Sequence, residues 1–171
     1  MSPGASAGRH TVFISVGSNV GDKLANCRAG IERLCADGAV RLTGRSQDYR
    51  TAPVDFTEQD WFINCAIRVA TDLAPPELLD RLQAVQREAG RTETTVRFGP
   101  RVLDLDILLY DELVWDDDRI VLPHPRMARR RFVLKPMCDI DPTVCHPVLR
   151  RTVAQLLQEL GEEGQEVTAL P

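Results

Sequence analysis

Aromatic residues, histidines and long apolar runs are all scarce in this chain of 171 residues. Aromatic residues make up 5% of the sequence, which argues against an RNA-binding sheet that stacks bases on exposed rings. No apolar run approaches the roughly 20 residues that a membrane-spanning helix requires. The opening MSPGASAGRH lacks the apolar segment of a secretory signal. We therefore expect residues 1–8 to be a disordered polar tail and the protein to be cytoplasmic.

Familiar nucleotide-binding and metal-binding motifs are also missing. G-x-G-x-x-G does not occur, and GSNVGDK at 17–23 is rich in glycine but lacks the P-loop spacing. The five cysteines are odd in number and include no C-x-x-C pair, which favours reduced core cysteines over disulfides or zinc ligands. A net charge of −4 argues against a general nucleic-acid binder.

Hydrophobic patterns predict an α+β protein that forms a single domain over 9–171. We predict strands at 10–17, 39–51, 61–72 and 102–110. We predict helices within 22–38 and 74–90, a hairpin at 113–122, a short helical stretch at 131–138 and a last helix at 152–160. The order β-α-β-β-α-β favours a ferredoxin-like core with the helices packed on one sheet face, plus C-terminal additions. The other sheet face would then be free to hold a ligand.

The strand VLDLDILLY, at 102–110, carries two aspartates inside an apolar run. Asp104 and Asp106 are two positions apart, so both side chains point to the same face, with Cα atoms about 7 Å apart. Strict alternation also puts Leu108 and Tyr110 on that face. Burying two like charges is costly, and a divalent cation such as Mg²⁺ removes the conflict. The alternative is an edge strand with two solvated aspartates.

Arginines flank the acidic strand on both sides in the sequence. They are Arg91, Arg97, Arg101, Arg126, Arg129, Arg130 and Arg131. Guanidinium groups bind phosphate oxygens in a bidentate manner, so an acidic pair between basic loops is typical of a magnesium–triphosphate site. Solvated surface loops are the alternative. A nucleotidyltransferase of the Gly-Ser…D-x-D type is disfavoured because Ser18 and Asp104 are far apart in the chain.

Several motifs taken together resemble the 6-hydroxymethyl-7,8-dihydropterin pyrophosphokinase family of the folate pathway. They are FISVGSNVGDK, YRTAPV, FIN and RFGPRVLDLDILLY followed by LPHPRM, in order from about Val12 to Pro142. The resemblance implies an enzyme that transfers pyrophosphate from ATP to the pterin's hydroxymethyl group and releases AMP. It also implies a monomer with small-molecule substrates and with no nucleic-acid or membrane partner. A nucleotidyltransferase and an RNA-binding ferredoxin-like module remain the alternatives.

The resemblance also implies a role for individual residues. Asp104 and Asp106 would hold two Mg²⁺ ions and, with Arg91 and Arg101, form the catalytic group. The pterin would contact Thr51, Pro53, Val54, Phe62, Asn64 and Phe132. ATP would contact Gln83, Arg91, Arg97, Arg101, Ile107, His124 and Arg130. The loop at 91–100 would close over ATP, although Glu93 and Phe98 depart from the residues that the family often has there.

Overall fold

Antiparallel strands and four helices make up the described part of the chain. The computed structural model describes residues 8–54, 57–90, 100–161 and 164–171. The strands are β1 (His10–Ser18), β2 (Val40–Arg45), β3 (Tyr49–Thr51), β4 (Phe62–Thr71), β5 (Asp104–Tyr110), β6 (Trp115–Asp116), β7 (Val121–Leu122) and β8 (Val167–Ala169). The helices are α1 (Lys23–Cys35), α2 (Pro75–Glu88), α3 (Arg131–Ile140) and α4 (Val153–Leu160).

Six of these strands form one sheet in the order β5-β1-β4-β3-β8, with β2 also paired to β4. Every pairing in this sheet is antiparallel. The short strands β6 and β7 pair with each other as a separate hairpin, at the position predicted for it. The long strands β1 and β4 lie at the centre of the sheet, so each is paired with other strands along both of its edges.

One face of the sheet packs against α1 and α2, as the sequence predicts. Asp22 caps α1 by accepting a hydrogen bond from the Ala25 amide, and Pro75 begins α2. The apolar stripes of these helices cover the alternate residues of β1, β4 and β5 that point toward them. The resulting core includes Val12, Ile14, Val16, Ile31, Leu34, Cys65, Ile67, Leu78, Leu82 and Leu105.

Helices α3 and α4 also cover part of the second sheet face, so the expectation that this face is free to hold a ligand is wrong for that part. A second core forms there from Phe13, Ala66, Met127, Val133, Leu134, Met137, Val153 and Leu156. The stretch predicted only as a C-terminal addition thus supplies α3 and α4, whose apolar side chains must themselves be buried against the sheet. Among the described residues, this second core does not cover the end of the face near Gly17 and Asn64.

Strand β5 contains a β-bulge that breaks the alternation at Leu108. Phe13 of β1 pairs with Leu109, whereas the next residue, Ile14, pairs with Ile107, so Leu108 is an extra residue on β5. The prediction that Tyr110 shares the aspartate face is therefore wrong, because Tyr110 joins the core beneath α1 and α2. Leu109 instead packs beside Leu108 in the second core.

Two further boundaries differ from the sequence-based expectation. The segment 39–51 is two strands rather than one, because Ser46 interrupts it. The Ser46 hydroxyl accepts from the Ala66 amide and itself donates to the Gln47 carbonyl, replacing regular pairing at that point. Strand β8 was not predicted at all.

Two general expectations can also be compared with the described residues. No helix among them is long and apolar enough to cross a membrane. All five cysteines carry free thiols, and burial raises the pKa of Cys65 to about 12, so this thiol is protonated at neutral pH. The predicted tail at 1–8 lies almost entirely outside the described residues.

Candidate active site

A cavity of about 290 Å³ opens at the uncovered end of the second sheet face. It lies between β1, β4 and β5, the segment after β3, and the beginning of α3. Its walls include eleven of the residues that the sequence analysis assigned to substrate or metal. They are Thr51, Pro53, Val54, Phe62, Asn64, Arg101, Asp104, Asp106, His124, Arg130 and Phe132.

Strand register brings the amide and the carboxylates of this cavity together. Gly17 of β1 pairs with Asn64 of β4 on one side and with Asp104 of β5 on the other. Ser15, two positions earlier, pairs with Asp106. Because alternate residues share a face, these positions lie in two neighbouring rows of the same surface. Three segments that are distant in sequence thus form one continuous polar floor.

The amide end of the cavity is buried and held in place by hydrogen bonding. Asn64 is 5% exposed, and its Nδ2 donates to the Thr51 hydroxyl at 2.6 Å. A Cβ at Gly17 would lie 2.4 Å from Asn64 Oδ1, so this orientation of the amide requires glycine at 17. The amide oxygen therefore packs against bare backbone. We conclude that this end is preorganised by its own hydrogen bonds and packing.

Asn19 ties the loop before β4 to the sheet. Its Nδ2 donates to Gln59 Oε1 at 2.7 Å and to the Asp60 carbonyl at 3.1 Å. Its Oδ1 accepts from the Arg101 amide at 2.8 Å. Asn19 is itself 2% exposed, so these bonds are shielded from water. The loop that carries Gln59 into the cavity and the backbone at Arg101 are thus fixed by one buried side chain.

Charged groups line the other end of the cavity. Asp104 and Asp106 are half-buried, as are the nearby Arg101, Arg126 and Arg130. This arrangement places two carboxylates and three guanidinium groups around one opening. No group of three or more His, Cys, Asp or Glu side chains suited to a metal ion occurs in the described ranges. Any cation held by Asp104 and Asp106 would therefore need further oxygen ligands from water or substrate.

His124 lies among these charges but is itself uncharged at neutral pH. Burial, followed by the positive charges of Arg130 and Arg126, lowers the pKa of His124 to about 4. Its Nδ1 accepts a hydrogen bond from the Arg126 amide at 3.1 Å, which leaves the proton on Nε2. The backbone amide of His124 donates to the Leu108 carbonyl at the β5 bulge. His124 is therefore a fixed, neutral donor.

Phe132 forms an aromatic wall of the cavity at the beginning of α3. It is the second residue of that helix, and the guanidinium carbon of Arg130 lies 5.5 Å from the centre of its ring. Phe62, the first residue of β4, lines the cavity as well. Both rings are partly exposed, in contrast to the fully buried aromatic side chain of Tyr49.

Two of the predicted contacts, Gln83 and Ile107, do not line the cavity, and two others lie outside the described residues. Gln83 is exposed on α2, where its amide oxygen lies 3.5 Å from an Arg119 guanidinium nitrogen. The Ile107 side chain packs in the core beneath α1 and α2. Arg91 and Arg97 lie outside the described residues, as do Glu93 and Phe98. The roles of these residues remain predictions.

Five residues of the cavity wall were not predicted as site residues. They are Ser15, Gly17, Ala52, Gln59 and Arg126. Gly17 and Ala52 have no reactive side chain, and Ser15 lies inside an apolar strand, so no local pattern distinguishes them. Arg126 was listed only among the flanking arginines. Its position two residues after His124, a predicted ATP contact, could have identified it as a site residue.

The expectation that Ser18 and Asp104 lie far apart is wrong. Gly17, the neighbour of Ser18, pairs directly with Asp104, so distance along the chain does not disfavour a nucleotidyltransferase. The Ser18 side chain, however, is fully buried and faces away from the cavity residues of β1. Its hydroxyl donates to the Val20 carbonyl and accepts from Asn26. It is thus unavailable as the serine of such a motif.

An amide pocket joined to an acidic and basic opening has the groups that an enzyme needs to bring a polar heterocycle to a polyphosphate. The chain belongs to the 7,8-dihydro-6-hydroxymethylpterin-pyrophosphokinase (HPPK) family, whose profile matches residues 13–142. It is 39% identical over 154 residues to the 2-amino-4-hydroxy-6-hydroxymethyldihydropteridine pyrophosphokinase of Methylorubrum extorquens, covering 90% of this chain and 96% of that one. The Bacillus subtilis protein with the same name is 41% identical and covers 91% and 88%.

Some relatives are much longer proteins. A folic acid synthesis protein of Dictyostelium discoideum is 39% identical over 160 residues, which cover 94% of this chain but 24% of that protein. The wild-type HPPK-DHPS of Plasmodium falciparum, solved with pteroate, superposes with a TM-score of 0.69 at 13% identity, covering 88% of this chain and 42% of that one. At that identity the superposition supports the fold alone.

Proposed function

We propose that this chain transfers pyrophosphate from ATP to the hydroxymethyl group of 6-hydroxymethyl-7,8-dihydropterin. The products are the pterin diphosphate and AMP, and the reaction belongs to tetrahydrofolate synthesis. Membership of the family and the two relatives covered over almost their whole length support this activity. The structural observation that best supports it is the cross-strand pairing of Gly17 with Asn64 and with Asp104, which joins an amide pocket to the charged opening.

The amide end of the cavity fits a flat heterocycle with polar edges. Asn64 offers an amide with both donor and acceptor atoms, and Thr51 holds that amide at one orientation. Phe62 and Phe132 supply rings from two different walls, between which a pterin can stack. Pro53 and Val54 complete the wall beside Thr51. We assign the pterin to this end of the cavity.

The charged end of the cavity fits a triphosphate. Arg101 and Arg130 provide guanidinium groups that match phosphate oxygens, and Arg126 adds a third at the same opening. His124 can donate from Nε2 without adding charge, because its pKa is lowered to about 4. We assign the β- and γ-phosphates of ATP to these side chains, with Arg91 and Arg97 as further contacts.

The pair Asp104 and Asp106 fits Mg²⁺ by its donor chemistry. Two half-buried carboxylates on one strand face, close to guanidinium groups, form a site that phosphate oxygens and water can complete. We propose that the pair holds two Mg²⁺ ions together with ATP. When bound, the metal supplies neutralisation of the charge that develops on the transferred group.

Positioning supplies most of the catalysis in this proposal. The hydroxymethyl oxygen of a pterin seated against Asn64 attacks the β-phosphorus. The bond from the β-phosphorus to the α-phosphate oxygen breaks to release AMP, and the hydroxyl proton passes to water. Arg101 and Arg130 stabilise charge on the transferred phosphates. Transfer of a phosphoryl group demands alignment and electrostatics more than a strong general base. The fixed Asn64 amide, in the same cavity as the phosphate contacts, meets that demand.

Three broader assignments accompany this function. We interpret the sheet order β5-β1-β4-β3, with α1 and α2 as its crossover helices, as a ferredoxin-like core. We also propose that the enzyme acts as a monomer in the cytoplasm. Finally, we propose that it binds neither nucleic acid nor membranes.

Identification of the adenine product tests the proposed function. The protein is incubated with ATP, Mg²⁺ and hydroxymethyldihydropterin, and the nucleotides are separated by chromatography. AMP should form only when the pterin is present, in a one-to-one ratio with pterin diphosphate. Formation of ADP would contradict the proposal, and release of free pyrophosphate with adenylated pterin would indicate a nucleotidyltransferase instead.

Thermal unfolding distinguishes the RNA-binding alternative. Mg-ATP should raise the Tm of the protein, because a ligand that binds only the folded state stabilises it. Single-stranded oligoribonucleotides should leave the Tm unchanged. A Tm that rises with oligonucleotide and not with Mg-ATP would favour the binding module.

A further inference from the structure

The last described residues form hydrogen bonds with both walls of the candidate site. Strand β8 pairs with β3, with Val167 opposite Thr51. Just before β8, the Glu166 carbonyl accepts a hydrogen bond from the Ala52 amide at 3.0 Å. These bonds attach the segment 164–170, which we call the strap, to the wall that runs from Thr51 to Val54.

Gln165 attaches the strap to the opposite wall. Its Oε1 accepts from the Arg131 amide at 2.8 Å, and its Nε2 donates to the Arg129 carbonyl at 3.0 Å. Arg131 is the first residue of α3, and the N-cap residue Arg130 makes no capping hydrogen bond with its own side chain. Gln165 therefore supplies the acceptor that a capping side chain usually supplies to the first turn of a helix.

Neighbouring strap residues thus hold the two walls of one cavity. Glu166 bonds to Ala52, which lines the cavity, and Gln165 bonds to the residue between Arg130 and Phe132, which also line it. The family profile ends at residue 142, so the strap lies outside the matched segment. The two attachments are one peptide unit apart, which leaves little freedom for the walls to move relative to each other.

We infer that Gln165 is a positioning residue for the pterin substrate, acting by holding the beginning of α3 and hence Phe132 at stacking distance from the opposite wall. The inference rests on the proposed function, because it requires a pterin between Phe62 and Phe132. Loss of the Gln165 bonds lets the first turn of α3 move away from the strap. Arg130, which we assign to the phosphates, lies between the two residues that Gln165 bonds, so a smaller effect on ATP is expected as well. Arg101 and the carboxylates of β5 lie on other elements than α3.

Steady-state kinetics of Gln165→Ala test this role. The KM for the pterin should rise about five- to tenfold, because an aromatic wall that is displaced stacks less well, while the KM for ATP should rise no more than about threefold, because Arg130 is one of several phosphate contacts. Gln165→Glu keeps the acceptor for the Arg131 amide and should recover most of the pterin affinity. Gln158→Ala, at an exposed glutamine of α4, is the matched control and should behave as the parent.

Other outcomes would overturn the inference. An unchanged pterin KM in a folded Gln165→Ala protein would show that the strap does not position the substrate. Equal losses for both substrates and kcat would show a merely structural role. If Gln165→Ala does not fold, Gln165→Met, which keeps the length but neither hydrogen bond, is measured against the same criteria.

A second measurement separates this inference from the proposed function. Amide hydrogen exchange at Arg131, followed by NMR in the ligand-free protein, should be faster in Gln165→Ala than in the parent and in Gln158→Ala. Equal exchange rates would contradict the strap contact whatever the enzyme does. If the parent itself forms no AMP with the pterin, the proposed function fails, and the exchange result still decides whether Gln165 holds α3.

Discussion

The two ends of the cavity are built in opposite ways. At the amide end, Asn64 Nδ2 donates a hydrogen bond to the Thr51 hydroxyl at 2.6 Å, and both residues are almost fully buried. At the charged end, Asp104 and Asp106 are only half-buried and share the opening with arginines. At the first end, a hydrogen bond within the protein fixes the orientation of the amide before a ligand binds. The second has carboxylate oxygens and guanidinium groups that a metal and a polyphosphate would use.

This difference predicts whether a mutation at each end should change ligand affinity or turnover. Buried, mutually bonded polar groups set a shape, so changing them should alter affinity for the molecule that fits that shape. Charged groups around an opening act on charge that arises during the reaction, so changing them should alter turnover. The four predictions below test this separation, from the largest expected effect to the smallest.

Asp106→Asn should lower turnover about a thousandfold, since loss of a metal ligand removes about 4 kcal/mol of transition-state stabilisation. The Tm of the metal-free variant should stay within about 3 °C of the parent, because lost attraction to the arginines offsets relieved repulsion from Asp104. Turnover is measured at saturating Mg²⁺ and ATP. Asp116→Asn, on the exposed hairpin, is the control. Turnover within tenfold of the parent would refute the metal assignment.

Gly17→Ala should damage the amide end. The added Cβ would meet Asn64 Oδ1 at 2.4 Å, so the amide must rotate away from Thr51. We expect pterin affinity to fall about thirtyfold, equivalent to about 2 kcal/mol of overpacking, with Mg-ATP affinity unchanged. Calorimetric titration of each ligand measures both. Gly44→Ala, at a strand glycine of β2, should leave pterin affinity intact, and a Gly17→Ala protein with normal pterin affinity would contradict the packing argument.

Asn64→Ala should weaken pterin binding about tenfold, because polar groups at the pterin edge then lose a partner at a cost of about 1–3 kcal/mol. Nucleotide affinity should change little. Asn26→Ala removes another hydrogen-bonded asparagine, one that bonds to Val20 rather than lining the cavity, and serves as the control. Equal weakening of both ligands by Asn64→Ala would mean that this asparagine is structural.

His124 should make the metal-free protein less stable in acid. Its pKa is about 4 when folded and 6.5 when unfolded, so the unfolded state binds more protons between these values. The stabilisation that a neutral His124 provides is fully present above pH 6.5 and is lost as the pH falls toward 4. The loss amounts to about 2 kcal/mol at pH 5. Between pH 7.5 and 5.0 the Tm of the parent should therefore fall several degrees more than that of His124→Gln. His146, whose pKa burial also lowers, contributes equally to both proteins. Parallel pH profiles would contradict this assignment.

Local patterns predicted most of the helices and strands well. Helical patterns placed α1 and α2 within a few residues of their true bounds. In β4, alternation puts Phe62 and Asn64 on the face opposite the core residues Cys65 and Ile67. Errors arose where a tertiary contact overrides the local pattern, as at Ser46, which bonds across to Ala66, and at the bulge in β5. Strand β8 was missed because three residues acquire strand geometry only by pairing with β3.

By itself, the sequence determined the chemistry at this site: which strand carries paired carboxylates, which loops carry arginines, and which family the motifs resemble. Side-chain type and spacing along one element are local properties, so they can be read directly. Only the tertiary structure decided that Gly17 lies between Asn64 and Asp104, that α3 and α4 cover part of the second face, and that Gln165 reaches the other wall. These are register and packing relations between distant segments, which depend on how whole elements bury their apolar faces together.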